Sequence, residues 1–286
     1  RAALREKGDS PHVLVMSATP IPRTLSLIIY GDLSISVLDE KPKGRKEIKT
    51  VQIPSFYHER MYSFIKNEVK NGNQCYIVCP MVEENEETET TRKSAEEYHS
   101  LLSTTVFSDL RCALLHGQMK PKMKDEIMES FKKGEIDVLI CTVVIEVGID
   151  VPNAGIIVIE NAECFGLSQL HQLRGRVGRG ERPSHCILVS DSKNETSKQR
   201  FDILCKTNDG FRIAEEDLKL RGPGDFFGAR QSGLPSLKIA SLMTDSRILY
   251  AARDEAQNIL SQDPYLEKEQ HKELKKRISV LFADIS

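Results

Sequence analysis

Four polar side chains able to bind anions lie within eight residues of this chain. The segment LSQLHQLRGRVGRG places Gln172, Arg174, Arg176 and Arg179 around Gly175 and Gly178. Guanidinium groups keep their charge at any physiological pH and can donate two hydrogen bonds to one phosphate, while glycines let a ligand approach the backbone closely. The segment therefore predicts binding of a nucleoside triphosphate or a nucleic-acid backbone. A solvated, salt-bridged surface turn is the alternative.

The elements that must position these side chains follow a pattern typical of a parallel sheet. Short apolar runs indicate strands buried on both faces, and the amphipathic segments between them indicate crossover helices. The apolar runs are 13–16, 75–78, 113–115, 138–141, 156–159 and 186–189. Helices are predicted at 56–71 and 121–133, and mainly helices after residue 191. The sequence therefore predicts an α/β fold with a parallel sheet and crossover helices.

Domain boundaries follow from changes in composition along the chain. The segment 39–45 (DEKPKGR) combines Pro, Gly and charge, as interdomain linkers do. Residues 1–38 hold too few elements for an independent α/β domain. We therefore predict the tail of a first lobe with its linker at 1–42, a full α/β lobe at 43–190, and a helical hairpin with C-terminal helices at 191–286.

Composition excludes several classes of protein. Hydrophobic residues make up 40% of the chain and charged residues 29%, which argues against a disordered chain. No apolar run approaches the ~18 residues of a membrane span. The seven cysteines form no CxxC pair, which favours a reducing cytoplasm and argues against a metal site. Because the formal net charge is −2, nucleic-acid binding requires a local basic face.

The arginine segment resembles motif VI of superfamily 2 helicases and translocases, enzymes with paired RecA-like lobes. The shared pattern is Gln172, two positions, Gly175-Arg176, one position, Gly178-Arg179. The resemblance implies that Arg176 and Arg179 are arginine fingers, which reach ATP from the second lobe, and that Gln172 helps to position them. It also implies that 1–42 ends the first RecA-like lobe and that 43–190 is the second.

Two further segments resemble helicase motifs. MSATPIPRTL, with Ser17 and Thr19 after an apolar run, is similar to motif III, which couples ATP hydrolysis to nucleic-acid movement. TVVIEVGID is similar to motif V, although the family usually has Thr where this chain has Val143. The resemblance implies a nucleic-acid contact for Thr142 and nucleotide contacts for three residues of motif V, which are Glu146, Gly148 and Asp150.

Two other segments narrow the resemblance to one branch of that superfamily. His116 and Gly117, in HGQM before a predicted helix, are implied to contact nucleic acid, with an ordinary strand-to-helix turn as the alternative. DGFRIAEEDLKLRGPGDFFGARQSG resembles the translocation motif of the RecG family and of the transcription-repair coupling factor, and is closer to RecG. A break at 222–224 is predicted to return Gln231 toward Arg200 and Arg221. The resemblance implies that these three residues together transmit lobe closure to DNA.

The resemblance implies that a longer parent protein hydrolyses ATP and that this chain lacks some of the residues that ATP hydrolysis needs. The chain contains no GxxxxGK loop followed by Ser or Thr, and no acidic Mg²⁺ motif in the right place. We therefore expect a parent that is an ATP-dependent translocase on double-stranded, branched DNA. ATP and Mg²⁺ are expected to bind through an upstream lobe, the protein to be monomeric, and this chain alone to be inactive. The alternatives are a coupling-factor-type translocase and a silent nucleic-acid or protein binding lobe.

Overall fold

The computed structural model describes residues 46–80, 95–142, 150–180, 182–227 and 246–283, with positions 14, 16, 36–38 and 40. From residue 40 onward the described chain divides into two compact units, one up to Ile213 and one from Ala214. The predicted domain boundaries at 42 and 190 stay predictions.

The first unit is built on a parallel sheet of six described strands, in the order β1-β6-β5-β2-β4-β3. The strands are β1 (Ile48–Ile53), β2 (Gln74–Val78), β3 (Cys112–Leu115), β4 (Val138–Cys141), β5 (Ala154–Ile159) and β6 (Ser184–Val189). All residues of β2, β4 and β5 are buried, because helices cover both faces of a central parallel strand. The predicted α/β fold with a parallel sheet is confirmed.

Strand β1 does not appear among the predicted strands. It lies at the edge of the described sheet and pairs with β6, and its residues alternate between buried and exposed positions at the start. A search for unbroken apolar runs misses an edge strand of this kind, since one face of the strand meets water. Of the predicted run at 13–16, the described residues Leu14 and Met16 are exposed and lie outside any strand.

Eight α-helices accompany the sheet in the described residues. They are α1 (His58–Lys70), α2 (Ala95–Leu101), α3 (Pro121–Lys132), α4 (Leu167–Arg174), α5 (Glu195–Lys206), α6 (Gly210–Phe227), α7 (Ser246–Gln262) and α8 (Lys272–Ala283). Helix α3 shows the predicted signals: Pro121 lies in its first turn, Met128 and Phe131 are buried, and Gly134 follows its end with φ +77°. The helices predicted at 56–71 and 121–133 are therefore confirmed.

The predicted break at 222–224 is wrong, because α6 continues through this Gly-Pro-Gly segment to Phe227. Pro223 has no N–H to donate to the carbonyl of Lys219, so the helix lacks one backbone hydrogen bond there. Proline inside a helix costs about 3 kcal/mol without obliging the helix to end. The return of Gln231 toward Arg200 lies outside the described residues.

None of the seven cysteines forms a disulfide in the described structure. Cys75, Cys79, Cys141 and Cys186 are buried in or beside strands. Cys164 and Cys205 are exposed, and they lie in a helical turn and in α5 rather than in the sheet. None of the described helices has the length and hydropathy that a bilayer span requires.

In the second unit, a carboxylate organises the chain between α7 and α8. The carboxylate of Asp263 accepts hydrogen bonds from the backbone N–H groups of Glu267 and Lys268, both at 2.9 Å, and lies 2.8 Å from Nδ1 of His271. Burial alone raises the pKa of Asp263, but these donors outweigh it and lower the pKa to about 2. The corner is therefore stabilised by an ionised aspartate.

Candidate functional site

The arginine-rich turn at 175–180 follows α4 and is held by close packing of its glycines. Gly178 has φ +80°, and a Cβ atom there would lie 2.9 Å from Cγ1 of Ile48 in β1. A Cβ atom on Gly180 would clash with the carbonyl oxygen of Pro152. Gly178 was predicted to let a ligand approach the backbone; the structure adds that the packing of the turn itself favours glycine there.

Within this turn, Arg179 pairs with Asp150, so residues predicted for motifs VI and V come together. Nη1 of Arg179 lies 3.3 Å from Oδ1 of Asp150, and its Nε lies 3.4 Å from the carbonyl oxygen of Gly175. The two side chains are 32% and 60% exposed, so both remain open to a further ligand. This contact brings Asp150 and Arg179, which are distant in sequence, to the same part of the surface.

Arg176 shares the electrostatic environment of Arg179. Burial raises the pKa of the Tyr76 hydroxyl in β2, and the positive charges of Arg176 and Arg179 partly oppose that rise. Arg176 is half-buried, as is Gln172, which lies on α4 four residues earlier. Gln172, Arg176 and Arg179 are thus carried by one short, well-packed segment.

Arg174 does not belong to this anion-facing group. Its side chain is 2% exposed, and Nη1 donates to the carbonyl oxygens of Leu204 at 2.8 Å and Thr207 at 2.9 Å. Burial lowers the pKa of its guanidinium, as expected for a cation withdrawn from water. Its prediction as an anion-binding arginine is therefore not supported, because the spacing of charges in the sequence does not show which arginine is buried.

The predicted nucleic-acid residues of the lobe lie at neighbouring strand ends. His116 follows β3 and Thr142 follows β4, and the backbone N–H of Thr142 donates to the carbonyl oxygen of Leu115 at 3.1 Å. Thr142 is 9% exposed, and its hydroxyl oxygen has no hydrogen-bond partner in the described part of the chain. Gly117 is exposed, and its carbonyl oxygen accepts from Nζ of Lys124 at 2.6 Å.

Arg200, predicted for the translocation motif, lies on α5 and joins that helix to the loop before α4. Its Nη1 donates to the carbonyl oxygen of Phe165 at 2.6 Å, and its Nη2 lies 3.1 Å from Oγ of Ser197. Arg221 lies on α6, where only its backbone is described. Five predicted site residues lie outside the described residues: Ser17, Thr19, Glu146, Gly148 and Gln231.

A buried polar network at the end of β5 was missed by the sequence analysis. Glu160 is 2% exposed; it accepts a hydrogen bond from the Tyr98 hydroxyl at 2.5 Å and lies 3.0 Å from Nε2 of His58. The Tyr98 hydroxyl also lies 2.6 Å from that of Tyr62, and burial raises the pKa of Tyr62 to about 12. The charged residue directly after the apolar run IIVI was the available signal. The network fixes the strand end from which the loop to α4 begins.

Two models of known protein families match this chain. The family model for the helicase conserved C-terminal domain matches residues 58–181, which hold the sheet edge and the arginine turn. The model for domain 3, C-terminal, of the ATP-dependent DNA helicase RecG matches residues 207–284. The chain belongs to the RecG family. The part that matches the helicase C-terminal domain is thus followed along the chain by a part that matches RecG domain 3.

Individual RecG proteins are similar over nearly the whole chain. The ATP-dependent DNA helicase RecG of Synechocystis sp. is 48% identical over 96% of this chain, and that of Bacillus subtilis is 46% identical over 93%. The chain spans 33% and 39% of the lengths of these two relatives. A structure of RecG bound to a three-way DNA junction matches 82% of this chain and 30% of that chain, with 46% identity and a TM-score of 0.65.

Proposed function

We propose that this chain is the part of an ATP-dependent DNA helicase that carries the second motor lobe and the translocation region. The whole protein would move along double-stranded DNA and remodel branched DNA, such as replication forks and Holliday junctions, in recombination and repair. Membership of the RecG family supports this proposal, as does the similarity to a RecG protein whose structure contains a three-way DNA junction. We also propose that the protein is monomeric and cytoplasmic. The seven cysteines, none of which forms a disulfide, support the cytoplasmic location.

The observation that carries the proposal is the Asp150–Arg179 contact beside Arg176. Arg179 is held by a carboxylate yet accessible, which suits a guanidinium that must reach a γ-phosphate when two lobes close. Arg176 and Arg179 would then stabilise the charge that develops during phosphoryl transfer. Arginine fingers contribute about a thousandfold or more to the rate. Gln172 would position them from α4, and Asp150 would exchange its arginine contact for one to nucleotide or to the opposing lobe.

The nucleic-acid side of the proposal rests on His116, Gly117 and Thr142. The buried hydroxyl of Thr142 has no partner among the described residues, and a DNA phosphate oxygen would accept its hydrogen bond. The N-terminus of α3 follows His116 and Gly117, and helix N-termini favour phosphate. Arg200, Arg221 and Gln231 are proposed to transmit lobe closure to the DNA.

Gln172, Arg176 and Arg179 suit the phosphate groups of ATP but could not bind the metal ion that accompanies them. In the described ranges no cluster of three His, Cys, Asp or Glu side chains could hold a metal ion, and Asp150 is engaged with Arg179. Mg²⁺ and the phosphate-binding loop would therefore come from another lobe, since the sequence contains no GxxxxGK loop. This chain alone is accordingly proposed to hydrolyse no ATP.

The test is ATP turnover by the whole protein, with and without a model DNA fork. Arg176→Ala should lower fork-stimulated kcat by about a thousandfold or more, because the transition-state charge loses its finger, while ATP still binds. Arg253→Ala is the matched control, since Arg253 is an arginine on α7 that pairs with its neighbour Asp254. Absence of turnover in the unaltered protein would instead favour a silent binding lobe.

A further inference from the structure

Arg174 joins the last residue of α4 to the last turn of α5. Its guanidinium donates to the carbonyl oxygens of Leu204 and Thr207, at 2.8 and 2.9 Å, across thirty and more residues of chain. Nη2 of the same side chain lies 3.2 Å from Nδ1 of His171. The arginine turn at 175–180 begins at the next residue. The side chain therefore links the start of that turn to the end of a different helix.

Among the residues that the structure describes, a helix terminus rather than a carboxylate balances the buried charge of Arg174. Its hydrogen-bond partners are carbonyl oxygens, the Thr50 hydroxyl at 3.5 Å and a histidine ring nitrogen. The C-terminus of a helix carries partial negative charge and unsatisfied carbonyls, so a cation placed there is stabilised and satisfies them. Guanidinium remains protonated even where burial lowers its pKa. The contact thus depends on an arginine and on the position of α5.

A second arginine joins the same two elements in the opposite direction. Arg200 of α5 donates to the carbonyl oxygen of Phe165, two residues before α4, at 2.6 Å. Arg174 of α4 therefore binds carbonyl oxygens at the end of α5, and Arg200 of α5 binds a carbonyl oxygen in the loop before α4. Two such contacts at separate points restrict rotation of α4 relative to α5 more than one contact would.

Further hydrogen bonds continue from Thr207 to the start of α6. The backbone N–H of Asp209 lies 3.1 Å from Oγ1 of Thr207, and Oδ1 of Asp209 accepts from the N–H of Phe211 at 2.9 Å. Asp209 thereby caps the first turn of α6. A continuous series of hydrogen bonds runs from Arg174 through the α5–α6 corner, defined as residues 207–209, to the helix that carries Arg221.

We propose that Arg174 is a positioning residue that couples the arginine turn to the α5–α6 corner, and so sets how far DNA moves for each ATP hydrolysed. The inference rests on the proposed function. Arg174 contacts neither ATP nor DNA in this scheme; it makes the position of the turn at 175–180 and the position of the corner depend on each other. Coupling of this kind is a free-energy relation between two sites, so both activities must be measured.

The experiment uses the whole helicase and compares Arg174→Ala and Arg174→Lys with the unaltered protein. DNA-stimulated ATP turnover and DNA unwinding are measured on the same sample, and their ratio gives base pairs opened per ATP. In Arg174→Ala we expect this ratio to fall about tenfold while the KM for ATP is unchanged, a typical size for coupling between sites. Arg174→Lys, which keeps a cation but not the fork, should recover part of the ratio.

The control is Lys206→Ala, because Lys206 is an exposed cation at the end of α5 that pairs with Asp202. Its ratio should equal that of the unaltered protein. If Arg174→Ala does not fold, Arg174→Lys carries the test, with folding verified by circular dichroism. Normal turnover with an unchanged ratio in a folded Arg174 variant overturns the inference alone. Absence of DNA-stimulated turnover in the unaltered helicase overturns the proposed function and the inference with it.

Discussion

Arg174 and Arg179 lie five residues apart in the chain and have opposite environments. Arg174 is 2% exposed and donates to backbone carbonyls, whereas Arg179 lies at the surface beside Asp150. A buried guanidinium leaves its acceptors unsatisfied when it is removed, while an exposed ion pair contributes little to stability because water replaces it. At this scale, the two arginines should therefore differ in what they contribute to the stability of the fold.

We therefore expect the two arginines to differ in their effect on folding. Arg174→Ala should lower the free energy of unfolding of the chain by about 3 kcal/mol, since several hydrogen bonds from a buried cation are lost. Arg179→Ala should change it by less than about 0.5 kcal/mol. Urea unfolding followed by circular dichroism measures both, because the chain has no Trp. Equal losses in the two variants would contradict the burial of Arg174.

At the scale of elements, the arginine turn is positioned by contacts of its own backbone rather than by its charges. Gly178 lies against Ile48 of β1 and Gly180 against Pro152 in the turn before β5, so two segments distant in sequence support the turn. The network of Glu160, Tyr98 and His58 fixes the other end of the same segment, where β5 leads toward α4. The segment that carries the proposed fingers is thus held at both ends.

A pair of glycines separates the effect of packing from that of backbone conformation. Gly178 and Gly134 have φ values of +80° and +77°, but an added Cβ atom meets Ile48 at 2.9 Å in the first case and nothing within 4 Å in the second. Gly134→Ala should therefore cost about 1 kcal/mol for its backbone conformation. Gly178→Ala should lower the free energy of unfolding by about 1–3 kcal/mol more than that, because the added methyl group overpacks the contact with Ile48. Urea unfolding of both variants tests this, and equal costs would show that the turn tolerates the contact.

At the scale of the whole molecule, buried thiols make stability depend on alkaline pH. Burial raises the pKa of Cys186 from 9.0 to about 12 and that of Cys112 to about 11. In the unfolded chain these thiols ionise near pH 9, so the folded state holds protons that the unfolded state has released. The stabilisation is complete below pH 9 and is lost as the pH rises toward the folded-state values.

The free energy of unfolding should accordingly fall above pH 9, by about 1.4 kcal/mol per pH unit for each group ionised only in the unfolded chain. Cys186→Ala should reduce that slope by one group, because the thiol of Cys186 is buried. Urea unfolding between pH 8 and about 10.5 under reducing conditions measures the slope. A slope that is insensitive to Cys186 would show that its thiol ionises in the folded state.

The sequence by itself determined the class of the fold and the position of the arginine turn within it. The runs at 75–78, 138–141 and 156–159 predict central strands, because a strand covered on both faces needs apolar residues at every position. It also determined the family, since the spacing of Gln172, Gly175 and Arg176 and the segment after residue 207 are local patterns. Such features depend on residues close together in the chain.

Only the tertiary structure decided what each of these residues contacts. Arg174 is buried because Leu204 and Thr207, thirty and thirty-three residues away, place carbonyl oxygens around it. Glu160 is buried because α1 and α2 bring His58 and Tyr98 to the end of β5. Side-chain burial is set by neighbours that are distant in sequence, and a local pattern does not contain them. For that reason one motif holds both a structural arginine and the arginines proposed for catalysis.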